Sequence, residues 1–401
     1  MVEGARLESV YTVKGIKGSN PFLSAKYNFL KRMTIKRLFV KYYKIFIYYI
    51  FKIIYGKINK KFYKKKNFVR INKIIIEKNI FFLYQIFKGR VYNATVHDCA
   101  YIVNNQIVEG PSYQYRFTDK PIKPVESVNV MKNFVITNGT PRFLHKIEGS
   151  IFSILSGGAS KVNYWHWLFD SIVKFAFLEK KFELTEIKNI LVPSLKYKFQ
   201  RETLEHLGID LSTCLDSQIY KHISADRIIA TTHPYVFKNP SKDILNMSPW
   251  MIFWLRNKYK HLIDKKIKFP RKIYIDRSDS INSKYGERII KNEEEIKELL
   301  KKKDFYSFTL SNLSFKDQIN LFYNCSVVIG LHGAGFSNLI FCKKGTKIIE
   351  LRNYKKTMQY ENLSKKCNLN YLSLENSDKN INYTSQQGII LIDINKLKQL
   401  I

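Results

Sequence analysis

Three groups of residues have the types and spacing to do chemistry. The first is Asn163-Tyr164-Trp165-His166-Trp167-Leu168-Phe169-Asp170, where aromatics surround an imidazole and a carboxylate four positions apart. On a helix that spacing puts both on one face, so either can accept a proton from an incoming hydroxyl, or the carboxylate can orient the imidazole. The plainer reading is a helix-surface contact over a core of aromatics. His and Asp are also metal-ligand types, but no third or fourth ligand accompanies them, and no metal is expected. The second group is His332-Gly333-Ala334-Gly335-Phe336-Ser337-Asn338, directly after the apolar run 326–330. Its small residues let backbone N–H groups approach an anion such as a diphosphate near a helix start. His332 either meets that anion or simply holds the loop. The third group is charge at strand ends. Arg277 follows Lys272-Ile273-Tyr274-Ile275-Asp276, and its planar fork can pair with phosphate oxygens, assisted by Arg288. Glu350, near the end of the run 347–351, can accept hydrogen bonds from ribose hydroxyls. For each of these charges the alternative is an ordinary ion pair, with Arg352 or a lysine in the case of Glu350.

These residues need elements to carry them. Past residue 90, short apolar runs alternate with helical periods, the pattern of an α/β protein. Strands are expected near 189–193 and 227–231, with a helix over about 197–207 and another carrying the His166/Asp170 segment. Ser248 and Pro249 open a helix to about residue 263 that crosses between two halves. The second half has a regular rhythm: strand 272–276, helix 293–302, strand 305–309, helix 314–323, strand 326–330, loop, short helix 336–341, strand 347–351. That is a doubly wound parallel sheet, whose ligands lie beyond the carboxyl ends of the strands.

The chain of 401 residues has room for two or three domains and carries 68 Lys and Arg against 33 Asp and Glu, a net +35. Such a field draws nucleic acid, anionic lipid or phosphorylated substrates. Part of it reflects A/T-rich codons, which also account for the abundance of Ile, Asn, Phe and Tyr. The lysines crowd before residue 70 instead of tiling one face with aromatic platforms, so no specific nucleic-acid partner is expected. Between Lys36 and Arg70 the run Ile45-Phe46-Ile47-Tyr48-Tyr49-Ile50-Phe51 is too short to span a bilayer. A basic aromatic helix there either lies peripherally on an anionic membrane or packs on the protein's own core. Residues 1–32 have no export-signal pattern, and Gly18-Ser19-Asn20-Pro21 can be spelled by a T-arm-like stretch of a transfer-RNA gene. Synthesis is therefore expected to begin at Met33. Five widely spaced cysteines without a C-x-x-C pair fit a reducing, cytoplasmic setting.

Four segments together resemble glycosyltransferase family 61: 163–174, 272–280 with 287–296, 314–341, and 346–351. The third is the most specific, with His332-Gly333-Ala334-Gly335-x-x-Asn338 following a buried strand. The resemblance implies a GT-B architecture of two Rossmann-like domains facing a cleft, an acceptor-side domain at 90–263 and a nucleotide-sugar domain at 264–401. Ahead of them would stand a leader at 1–32 and a basic aromatic helical extension at 33–89. It further implies inverting transfer from a nucleotide donor, usually UDP-linked and without an obligatory metal or other cofactor, to a glycan or lipid-linked acceptor in surface-polysaccharide synthesis. On that reading Arg277, His332, Gly333, Ala334, Gly335, Asn338 and Glu350 hold the donor, and Asp170 or His166 is the base. A non-catalytic nucleotide-sugar binder on the same fold is the alternative, and a nucleic-acid-binding protein a weaker one.

Overall fold

A computed structural model describes residues 21–95, 97–114, 130–157, 160–236, 245–280, 288–353, 358–377 and 388–401, with side chains from residue 37 onward save Ser280. The leader expected at 1–32 lies mostly outside these residues. A helix, Pro21–Tyr55, runs through position 33 and stops where Gly56 turns to φ 80°. A left-handed glycine just past the last helical residue is a common helix terminator.

The helical extension expected over 33–89 ends there. Val69–Ile76 (β1) and Asn79–Phe87 (β2) form an antiparallel hairpin around Glu77 and Lys78. Their Ile- and Phe-rich runs prefer a pleated surface, and Ile74, Phe81, Leu83 and Ile86 are buried by it. Arg70 and Lys73 in β1 and the charged turn Glu77-Lys78 disguise this pattern in the sequence. β2 also pairs with a strand of the first half, so the boundary expected at residue 90 falls inside a sheet.

That sheet continues with Arg90–Thr95 (β3), Asp98–Val103 (β4), Gln106–Ile107 (β5), Tyr113–Gln114 (β6), His145–Ser153 (β7), Asn189–Val192 (β8), Cys214–Asp216 (β9) and His222–Thr231 (β10). The main path is β5-β4-β3-β10-β7-β8-β9. β10, β7, β8 and β9 are parallel, whereas β2 and β3 meet β10 antiparallel. The first half is thus a mixed sheet, in place of the plain Rossmann-like one expected. Tight connections impose the antiparallel part: Asn104 and Asn105, both at positive φ, close the β4–β5 hairpin.

The second half matches its expected rhythm closely. Lys272–Asp276 (β11), Arg288–Ile290 (β12), Tyr306–Thr309 (β13), Val327–Leu331 (β14), Lys347–Arg352 (β15), Asn370–Glu375 (β16) and Gly388–Ile390 (β17) alternate with helices Glu293–Lys301, Phe315–Asn324 and Gln359–Lys366. Five strands form one parallel sheet in the order β13-β11-β14-β15-β16, and β12 pairs with β17 beside it. Along the chain this is a 2-1-3-4-5 order, which reverses between β11 and β14. A crevice at the carboxyl ends of those two strands is where such sheets take ligands.

The halves share a core. Trp167, Phe177 and Leu204 of the first and Phe315, Phe322 and Phe336 of the second belong to one buried cluster, with Trp250, Met251 and Leu255 of the crossing helix Pro249–Tyr259 among them. No helix among the described residues is long and apolar enough to cross a membrane.

Candidate functional site

β11 delivers Arg277 and β14 delivers His332 to the two sides of the reversal point. The Arg277 guanidinium donates to the His332 carbonyl at 2.6 Å, and Arg288 donates to the same oxygen at 3.0 Å. Burial lowers the pKa of both guanidinium groups, and the charge of Arg277 lowers that of Arg288 further. Two cations converging on one carbonyl dipole repel each other, and an anion placed between them would relieve that repulsion. Gly333 makes the arrangement possible: a Cβ on it would stand 1.6 Å from Arg277 Nη1. Its backbone is extended, so space, not dihedral angle, demands glycine here. The turn Ala334–Phe341 follows, with Ala334 and Gly335 half-exposed at its start, where N–H groups lack intrahelical acceptors.

The other two residues assigned to the donor face inward. Glu350 has no exposed surface; one of its oxygens meets His332 Nδ1 in a very short contact, and the other accepts equally closely from the Tyr371 hydroxyl. Each oxygen thus has a partner within the protein. An acid two residues short of the end of β15 points into the layer beneath, where His332 and Tyr371 reach it. The alternative, an ion pair of Glu350 with Arg352, is not seen among the described residues, where Arg352 bonds Glu375 at 3.0 Å. Burial keeps the His332 pKa below its ordinary value, the two guanidinium groups add to this, and Glu350 opposes it. Asn338 is likewise fully buried. It accepts from the Tyr164 hydroxyl at 2.7 Å and donates to Gln318 at 2.8 Å, so it joins the halves.

Across this seam lies the His166 helix. Asn163 caps it by accepting from the amides of Trp165 and His166. The coil then widens to π geometry over Trp167–Ser171, a local distortion common at functional sites. His166 Nδ1 and Asp170 Oδ2 are 2.8 Å apart, with the His166 side chain 22% exposed and that of Asp170 wholly buried. Asp170 Oδ1 has no hydrogen-bond partner among the described residues. Burial raises the Asp170 pKa, while His166 and Lys174 pull it back. Lys174, one turn further on, is buried and donates to the Leu155 carbonyl, and desolvation lowers its pKa to about 7.

Sequence reasoning assigned no role to Lys174, although a lone lysine in the apolar run Ile172 to Leu178 is itself a signal of a buried charge with a purpose. It also passed over His233 and Tyr235, which follow the carboxyl end of β10. Burial holds His233 well below the ordinary histidine pKa and the charges of Lys174 and His166 add to this, while burial and Asp170 raise Tyr235. Aromatic contacts bridge the two groups: Trp165 packs edge-on to Tyr360 at 5.5 Å, and Tyr360 against His332 at 5.0 Å. The arrangement joins two guanidinium groups that converge on one carbonyl to a His/Asp pair able to manage a proton. Among the described residues no group of three or more His, Cys, Asp or Glu is placed to hold a metal ion.

Residues 164–349, which contain nearly all of these groups, match the family model described as Glycosyltransferase 61. Among curated proteins, a stretch of 67 residues is 31% identical to the EGF domain-specific O-linked N-acetylglucosamine transferase of Xenopus laevis. That stretch is 17% of this chain and 13% of the relative, so the likeness spans a small part of either.

Proposed function

We propose that this chain, which carries a glycosyltransferase 61 domain over residues 164–349, moves a sugar from a nucleotide donor, UDP-linked, to a hydroxyl of a glycan or lipid-linked acceptor in surface-polysaccharide synthesis. One observation carries the reading most directly: Arg277 and Arg288 converge beside a small-residue loop at the reversal point of a parallel sheet, inside the family segment. In this reading the two halves act as the two sides of a GT-B enzyme.

The donor's diphosphate sits between the two guanidinium groups and the first amides of the 334–341 turn. As the glycosidic bond breaks, charge grows on that diphosphate, and these preorganised donors stabilise it without a metal ion. Glu350 and Tyr371 act behind them by fixing the His332 ring, and with it the carbonyl to which both arginines dock. The acceptor hydroxyl attacks the anomeric carbon from the opposite side, giving inversion, and gives its proton to a base. The exposure of the His/Asp pair favours His166 as the base: its ring reaches solvent, while buried Asp170 holds Nδ1 and stabilises the imidazolium as it forms.

The test is calorimetric titration of the full chain with UDP, GDP and CMP, each with and without EDTA, followed by transfer assays with UDP-sugars. UDP-N-acetylglucosamine comes first because of the sugar in the relative's name. Selective UDP binding that survives EDTA, lost by about tenfold or more in Arg277→Ala, is expected, since a charge-assisted hydrogen bond contributes about 1.5–3 kcal/mol. UDP binding without any transfer would identify a non-catalytic binder, and no nucleotide binding at all would remove the donor-site assignment.

A further inference from the structure

The N-terminal helix plays no part in the crevice, and its surface is unusual for a protein exposed to water on all sides. Among its side chains described, those from residue 37 onward, the ones near its end hold it to the body. Phe51 is buried against the body, Tyr48 packs edge-on to Phe134 at 5.7 Å, Lys52 donates to the Thr137 carbonyl at 2.7 Å, and Arg90 donates to the Tyr55 carbonyl at 3.2 Å. From Arg37 to Phe46 every side chain is exposed. Phe39, Tyr42, Phe46, Tyr49 and Ile53 recur at spacings of three and four, so they form one stripe. Each is between 60% and 71% exposed, and the stripe points away from the face that Tyr48, Phe51 and Tyr55 dock on the body. Leu38 and Ile45 widen it on one flank, Tyr43 and Ile54 on the other.

Charge selects what covers this face. From Arg37 to Lys66 there are ten Lys and Arg and no Asp or Glu. Arg37, Lys41 and Lys44 lie behind the stripe, and Lys57, Lys60, Lys61, Lys64, Lys65 and Lys66 are exposed in the segment after the helix. A second copy of the helix would bring ten positive charges against ten. It would also lack the charged flanking positions by which paired helices select each other, because here the flanks are apolar. An anionic lipid surface accepts both features. Aromatic and aliphatic side chains enter the headgroup boundary, tyrosines favour that depth, and lysines extend to the phosphates.

We propose that the outward stripe Phe39, Tyr42, Phe46, Tyr49 and Ile53, backed by the lysines of 37–66, docks this protein in the plane of an anionic membrane. The proposal is independent of the reading of the crevice.

The experiment is flotation of the full chain with phosphatidylcholine vesicles, with and without phosphatidylglycerol, at low and high salt, for the native chain and Phe46→Glu/Ile53→Glu. Both positions are exposed, and thermal melting of the variant should match the native chain. The native chain is expected to float with the phosphatidylglycerol vesicles. The variant should lose about tenfold or more in partitioning, as the withdrawal of one large apolar side chain would already predict, and high salt should weaken binding. Failure to float with anionic vesicles would overturn the proposal, as would flotation unchanged in the variant. So would a lipid-free dimer, seen by light scattering, that the same substitutions split, because the stripe would then belong to a second copy.

Discussion

The Glu350 carboxylate is wholly buried between His332 and Tyr371, and its role as a positioning group can be separated from a ribose contact. Glu350→Gln keeps the shape but removes the charge that His332 and Tyr371 both address. Stability measured by urea denaturation should fall by about 1–3 kcal/mol. UDP and 2′-deoxy-UDP should lose affinity in the same proportion; selective loss for UDP would restore the ribose contact. The His/Asp pair makes a prediction about pH. Burial raises the Asp170 pKa, so the carboxylate protonates at higher pH than usual, and activity should fall as pH drops through that raised value. Lys174 holds the value down only while charged, that is below its own pKa of about 7. Lys174→Met should therefore move the acid limb of the rate profile upward; a profile that does not move would show that Lys174 is structural. Residue types were legible where spacing is local: His166 and Asp170 meet because four positions make one helical turn. Glu350 and His332 were each singled out, but their contact depends on two neighbouring strands being in register, and single-chain spacing does not reveal that.

At the scale of elements, the loop after β14 has a glycine whose absent side chain is occupied by a guanidinium. Gly333→Ala puts a methyl group where Arg277 Nη1 stands, and the flexible arginine is what must yield. UDP affinity should fall about as far as in Arg277→Ala, with the melting temperature nearly unchanged. A large drop in melting temperature instead would place the conflict in the backbone. β11, β14 and β15 of the second sheet were readable because each is a short run rich in Ile or Val with its centre buried, whereas β16, half-exposed and without such a run, was not placed. β11 was placed at its observed bounds, Lys272–Asp276. β1 and β2 were misread because Arg70 and Lys73 interrupt the apolar run of β1, Glu77 and Lys78 separate the two strands, and the lysine-rich stretch before them is helical up to Tyr55.

For the molecule as a whole, the buried cluster that runs through both halves predicts that they unfold together. A calorimetric scan should give a single transition, and saturating UDP should raise its midpoint without splitting it. Two peaks, one of which moves with UDP, would mean that the shared core does not couple the halves. The sequence indicated two halves and a crossing helix, but how tightly they join is set by contacts more than 150 positions apart, such as Tyr164 to Asn338. That hydrogen bond bears on recombination. A chimera taking its second half from this protein and its first half from a relative would bury the Asn338 carbonyl oxygen opposite whatever replaces Tyr164. Unless a hydroxyl is kept there, the junction carries an unmet polar group at its centre. Shuffling of halves should therefore succeed only when the helix from Asn163 to Leu178 travels with the second half.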